Sequence, residues 1–99
     1  TGNIVVPPSI TIQKTTCFDV TVTTTNFSAN QSIRFNSLGN GITSPNATNG
    51  DTFILTGPTN ILTLCADSSA NARTIFITPG SNTYTANGVT STSLAITTT

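Results

Sequence analysis

The stretch CFDVTVTT, residues 17–24, predicts the fold class of this chain. Its apolar residues Phe18, Val20 and Val22 alternate with polar or thiol side chains, and a period of two is typical of a strand with one buried face. No stretch repeats apolar residues at helical spacing, and strong helix formers are scarce. The same alternation returns in SIRF (32–35), TFILT (52–56), NILTLC (60–65), RTIFIT (73–78), NTYTA (82–86) and VTSTSLAIT (89–97).

Turn-forming residues separate these runs at regular spacing, which is the pattern of an all-β sandwich or barrel. We therefore expect one small β-sandwich, immunoglobulin-like or jelly-roll-like, with eight or nine short antiparallel strands. Gly57-Pro58-Thr59 and Pro79-Gly80-Ser81 each predict a hairpin turn between the runs that flank them. Residues 36–50, rich in Asn and Gly, are the longest predicted loop.

Cys17 and Cys65 are an even pair in a small, threonine-rich chain, which predicts one disulfide formed in an oxidising compartment. Two buried free thiols are the alternative. Each cysteine is out of phase with the apolar residues of its own run, so we expect both sulfurs to face away from the main apolar layer. This predicts a staple between neighbouring strands or at a sheet end, unlike the core disulfide of immunoglobulin domains.

Charge is scarce in this chain. Thr, Ser and Asn together supply 44 of the 99 residues, and only six residues are charged, with a net charge of zero. Near-neutrality removes the repulsion that opposes association, so the surface suits packing against copies of itself or a coat of sugar. It offers no electrostatic footprint for nucleic acid or an anionic membrane, and no apolar run is long enough to span a bilayer.

We expect the protein to be secreted, and to be extracellular or at the cell surface. The chain begins at Thr1 and shows no leader features, so we interpret it as a mature chain whose leader has been removed, with an arbitrary boundary as the alternative. Asn26, Asn30 and Asn46 each begin an N-glycosylation triplet. In a chain with 11 Asn and 33 Ser or Thr such triplets also arise by chance, so glycan attachment stays an open expectation.

Catalysis is not expected, because the chain has no His to activate a Ser or Cys nucleophile. Its three Asp residues are isolated, and each is better suited to capping a turn than to acid–base work. A calcium site at Asp51 or Asp67 is conceivable, but such sites usually gather several carboxylates. We therefore expect no enzyme activity, no cofactor and no metal.

A sugar-binding platform is a third, weaker hypothesis, because such platforms present exposed aromatic rings. Phe27 and Tyr84 are the candidate surface rings. The threonine ladder TVTTT (21–25) resembles ice-binding surfaces, but no regular repeat supports a flat face, so we interpret Thr as a solvent-side strand former. The remaining phenylalanines are expected in the core: Phe18, Phe35, Phe53 and Phe76.

The N-terminal TGNIVVPPSITIQ, residues 1–13, holds two strand-like runs separated by Pro7-Pro8. The prolines donate no backbone hydrogen bond, so a ladder cannot run through them. Under one interpretation the chain switches there from one sheet of the sandwich to the other. Under the second, residues 1–6 leave the domain and insert Ile4, Val5 and Val6 into a neighbouring copy. The domain division would then be an extension at 1–8 and a sandwich at 9–99.

In its few charges, abundant Thr and Asn, single Cys pair and separated terminal strand, the chain resembles the strand-donating, pilin-like subunits of β-rich extracellular filaments. The resemblance is compositional and matches no motif. It implies a structural subunit of an extracellular homopolymer, whose sandwich is completed by a strand from a neighbouring copy, with residues 1–6 or the C-terminal VTSTSLAITTT as the donated strand. The alternative is a β-sandwich adhesion or spike module of a cell-surface or viral protein, binding through the 36–50 loop.

Overall fold

A computed structural model describes residues 2–36, 38–80 and 83–99. The described residues form ten strands and no helix. The strands are β1 (Gly2–Val5), β2 (Ser9–Ile12), β3 (Cys17–Thr25), β4 (Ser32–Asn36), β5 (Ile42–Thr43), β6 (Thr52–Ile54), β7 (Thr59–Ala66), β8 (Arg73–Pro79), β9 (Tyr84–Ala86) and β10 (Thr92–Thr98). The all-β prediction is confirmed.

The strands form two packed five-stranded sheets, compatible with a small sandwich or barrel. The first has the order β5-β7-β3-β1-β9, and the second has the order β2-β10-β8-β4-β6. Odd-numbered strands lie in the first sheet and even-numbered strands in the second, so each connection between consecutive strands crosses from one sheet to the other. The paired strands are therefore far apart in sequence, which is typical of slowly folding β proteins.

The expectation of eight or nine antiparallel strands is wrong in number, and it is wrong in direction for two strand pairs, which are parallel; the other six pairs between the described strands are antiparallel. β1 runs parallel to β9, and β2 runs parallel to β10. Both N-terminal strands are thus inserted beside strands from the C-terminal end of the chain. Alternation along the sequence predicts which residues face the core, but it carries no information about pairing across more than 80 residues.

Both predicted hairpins are absent from the described residues. β6 pairs with β4 in the second sheet, whereas β7 pairs with β3 in the first, so Gly57-Pro58 lies at a crossing between sheets. β8 and β9 likewise lie in different sheets, and Ser81 of the second predicted turn falls outside the described residues. The physical reason is that Pro and Gly end a strand equally well before a hairpin and before a crossing.

The core lies between the two sheets and follows the predicted alternation. Its largest fully buried side chains are Ile4, Ile12, Ile33, Ile42, Leu62, Leu64, Ile75, Ile77, Leu94, Ile96, Val20 and Val22. Ile42 belongs to β5, a two-residue strand inside the segment that was expected to be loop. Two of the four phenylalanines expected in the core are exposed: Phe76 lies on the outer face of β8, and Phe18 lies on the part of β3 that does not pair with β1.

Candidate strand-acceptor groove

The site begins where β1 ends. β1 pairs with β3 only through Asn3, Ile4 and Val5, which lie opposite Thr25, Thr24 and Thr23. The chain then turns away through Val6-Pro7-Pro8 to begin β2 in the other sheet. β3 extends six residues further, to Cys17, with β7 on one side. On its other side, no strand of the described chain pairs with residues 17–22.

The backbone of β3 presents three unpaired positions along this open edge. On the β7 side, the Thr24 amide donates to the Pro58 carbonyl at 2.9 Å, and the Thr16 carbonyl accepts from the Ala66 amide at 3.0 Å. Even-numbered residues of β3 therefore direct their backbone groups toward β7. Since successive residues of a strand alternate, the amides and carbonyls of Cys17, Asp19 and Thr21 point to the open side.

A groove of about 570 Å³ lies along this edge. It is bordered by the turning segment from Val5 to Ile10 and by β3 from Phe18 to Thr23. The Phe18 ring, 40% exposed, contributes to its apolar lining together with Val6 and Val20. Asp19 supplies the carboxylate at the rim, where it accepts a hydrogen bond from the Thr63 hydroxyl at 2.9 Å.

The structure places the three predicted polymer-contact residues within or beside the chain's own sheet. Ile4 and Val6 are buried, while Val5 is 41% exposed. The Asn87 side chain holds Val6, accepting from its amide and donating to its carbonyl, both at 3.0 Å. In this structure of one chain the prolines thus mark the switch between sheets, and residues 2–5 do not form a separate extension. Their donation to a second copy stays a prediction.

Asn46 has a role that the sequence analysis missed. Its side-chain amide donates to the Ile61 carbonyl at 2.9 Å, and its oxygen accepts from the Thr63 amide at 3.2 Å. The Ser44 hydroxyl donates to the Thr63 carbonyl at 2.9 Å. These bonds continue the pairing of β7 past the end of β5, so side chains cover this edge. The sequence signal for this role is an Asn followed by a turn. That signal does not indicate which distant strand the side chain bonds.

The three glycosylation triplets lie in different settings. Asn26 and Asn30 are exposed, and both have positive φ, at 51° and 67°. Asn46 uses its amide nitrogen in the bond to β7, so a glycan there would displace a bond that covers the strand edge. Glycan attachment at each of the three remains a prediction.

The disulfide is confirmed. Cys17 and Cys65 are bonded, and they are register partners on the neighbouring strands β3 and β7. Both lie on the outer face of the first sheet, because the core face of these strands carries the alternate residues. The predicted staple between neighbouring strands, rather than a disulfide through the core, therefore describes the structure.

The other candidate residues mostly have structural roles. Asp67 accepts bonds from the amide and hydroxyl of Ser69, both at 2.8 Å, and Asp51 accepts from the Thr52 hydroxyl at 3.1 Å. Residues 2–36, 38–80 and 83–99 contain no group of three or more His, Cys, Asp or Glu placed to hold a metal ion. The proposed surface rings are not a platform: Tyr84 is buried and donates to the Asn26 carbonyl, and Phe27 packs against the core.

Within the described part of the chain, no helix has the length and apolar character needed to cross a membrane. Neither a protein-family model nor a curated protein matches this chain.

Proposed function

We propose that this chain is a structural subunit of an extracellular homopolymeric filament, pilus-like or fibrous, assembled by strand addition between copies. The observation that carries the proposal is the open edge of β3, which begins where β1 turns away. In the filament, β1 of one copy occupies the position between β3 and β9 of the next. Such an exchange replaces each β1 contact with an identical one, so its free-energy penalty is small.

The contacts of β1 support its use as a donated strand. Ile4 and Val6 are buried side chains that would enter the neighbouring copy, and Val5 would pair with Thr23 of that copy. A short linker that contains prolines favours exchange, because the closed chain must turn sharply there. A head-to-tail exchange of this kind makes an open filament rather than a closed ring.

Composition and covalent structure also support the proposal. A net charge of zero allows copies to pack without repulsion. The Cys17–Cys65 disulfide is consistent with an oxidising, extracellular environment.

We further infer that the two sheets form a small sandwich of the immunoglobulin-like or jelly-roll-like type. Glycans at exposed Asn26 or Asn30 would suit the same location.

The test is a cysteine crosslink at the β1–β3 pair. Val5 and Thr23 are register partners, so Val5→Cys with Thr23→Cys should form a new bridge after mild oxidation. In a strand-exchanged filament the bridge joins two copies, and non-reducing SDS electrophoresis shows a ladder of covalent multimers. Peptide mapping verifies that the native Cys17–Cys65 bond is intact.

The matched control is Arg34→Cys with Thr78→Cys, a register pair between β4 and β8 in the other sheet. This pair should bridge within one chain and give no ladder. Bridges within single chains for both pairs, in material that shows discrete particles by electron microscopy, would contradict the filament and leave the adhesion or spike module as the better hypothesis.

A further inference from the structure

We propose that the groove beside β3 binds the segment Val6–Ser9 of a second copy, which continues the donated β1 as a longer strand. This inference rests on the proposed function and names the partner segment of the same site. The groove begins at the pair formed by Val5 and Thr23, where β1 stops following β3. An incoming chain that does not turn away at that point continues directly into the groove.

The register matches the open backbone positions. Since Val5 lies opposite Thr23, a straight antiparallel continuation places Pro7 opposite Thr21 and Ser9 opposite Asp19. The Thr21 amide then donates to the Pro7 carbonyl, and Asp19 exchanges both of its backbone bonds with Ser9. Pro7 has no amide hydrogen, so the Thr21 carbonyl gains no bond from the incoming strand.

Side-chain alternation matches the groove as well. Val6 and Pro8 of the incoming segment fall opposite Val22 and Val20, on the core face of β3; Val20 and Phe18 on that face also line the groove. Pro7 and Ser9 face outward, beside the polar rim. The segment Val6–Ser9 carries no charge, so it brings no unpaired charge into this apolar site.

In the filament each copy's own Val6–Ser9 leaves with its β1, so the incoming segment meets only the β3 side of the groove. In the closed chain that own segment borders the groove without pairing with β3. Its Pro8 carbonyl accepts from the Ala95 amide at 3.0 Å, and Ser9 pairs with Ala95 in the other sheet. The closed chain must cross between sheets here, which directs Val6–Ser9 away from β3. A donor strand from a second copy is free of that constraint once it gives up the first pair of its own β2.

Hydrogen exchange tests this assignment. In the filament, the amides of Asp19 and Thr21 should exchange at least about tenfold more slowly than in the monomer, because they gain partners only there. The amides of Val20 and Val22 face β7 and are paired in both states, so they are internal controls. Exchange is carried out on the assembled wild-type chain, then quenched, and read by NMR after dissociation.

A matched pair of variants gives a second readout. Phe18→Lys places a charge in the groove, and we expect it to raise the concentration needed for assembly by about tenfold or more. Phe76 is similarly exposed, at 47%, but lies on the outer face of the other sheet, so Phe76→Lys should leave that concentration unchanged. The wild-type exchange measurement decides the question if Phe18→Lys fails to fold.

Slow exchange at Asp19 and Thr21 together with a selective effect of Phe18→Lys supports the assignment. A crosslinked ladder from Val5→Cys with Thr23→Cys, accompanied by fast exchange at Asp19 and Thr21, would overturn it and leave the filament proposal standing. Equal protection of both amides by isolated peptides with the residue 2–9 sequence and with its reverse would also overturn it, since the groove would then accept any extended chain.

Discussion

The edges of β7 and β3 both carry backbone groups that lack a strand partner, but among the described residues side chains cover only the β7 edge. Each strand is longer than its outer neighbour, so part of its backbone lacks a strand partner. Along β7, the Asn46 side chain bonds both Ile61 and Thr63 where β5 has ended. Along β3, beyond Val5, the described chain provides no such cover, and apolar side chains border the gap. Natural proteins usually block open edges, so this unblocked edge beside an apolar groove is the feature on which the strand-addition proposal rests.

The largest expected effect on stability comes from removing the disulfide, which tests whether this bond holds the open edge of β3 in place. Among the described strands, only β7 lies beside β3 at residues 17–22, and the disulfide joins the two strands at that end. Cys17→Ala with Cys65→Ala should lower the free energy of unfolding by about 4 kcal/mol, because the bond closes a loop with a sequence separation of 48. Urea unfolding measures this difference.

Hydrogen exchange on the same double variant would show which strands lose stability. Amides of Phe18 and Val20 should lose protection more than amides in β10, which lies in the other sheet. A loss below about 1 kcal/mol, or an equal loss of protection in both sheets, would show that β3 does not depend on the disulfide to hold its open edge.

A second pair of variants tests what holds β1 beside β3, because the end of β1 is where the open edge begins. Ile4 is fully buried and Val5 is 41% exposed, on opposite faces of the same strand. Ile4→Ala should lower the free energy of unfolding by about 3 kcal/mol, and Val5→Ala by less than about 1 kcal/mol. Thermal or urea unfolding tests the difference. Equal losses would mean that β1 is held by its backbone alone rather than by its buried side chain.

Alternation along the sequence predicts strand identity, the core and the outward-facing disulfide, because these depend on phase within a single run. It does not predict which sheet a strand joins, since Gly57-Pro58 can follow β6 whether the next strand returns or crosses. Phe18 has the core phase of Val20, yet it is 40% exposed because no described strand lies beside β3 there on the side away from β7; its register partner Leu64 on β7 is fully buried.

The groove could not be predicted for a related reason. It depends on the difference in length between β3 and β1 and on their register, both of which are properties of pairing between distant segments. The bonds of Asn46 to β7 depend likewise on residues 15 and 17 positions away. In the sequence, that residue shows only as a turn-forming Asn at the start of a glycosylation triplet.

Asn46→Ala should turn the covered edge into a second open one. Loss of its two bonds to β7 should lower the free energy of unfolding by about 2 kcal/mol and increase self-association, measured by urea unfolding and light scattering. The matched control is Thr48→Ala, which removes the same glycosylation triplet and leaves the Asn46 bonds intact. If both variants behave alike, the side chain of Asn46 does not cover the edge.

The smallest expected effect concerns the point where β1 leaves β3. The Asn87 side chain donates to the Val6 carbonyl, and Asn87→Asp replaces that donor with an oxygen while keeping the acceptor for the Val6 amide. We expect a loss of about 1 kcal/mol in the free energy of unfolding, with faster exchange at the Val6 amide. Asn71→Asp, at an exposed position, introduces the same charge and should change neither quantity. If Asn87→Asp also speeds the formation of the multimer ladder from Val5→Cys with Thr23→Cys, then the bonds to Asn87 limit the release of β1 from its own chain. A lower stability with an unchanged ladder would instead show that release of this end of β1 does not limit exchange.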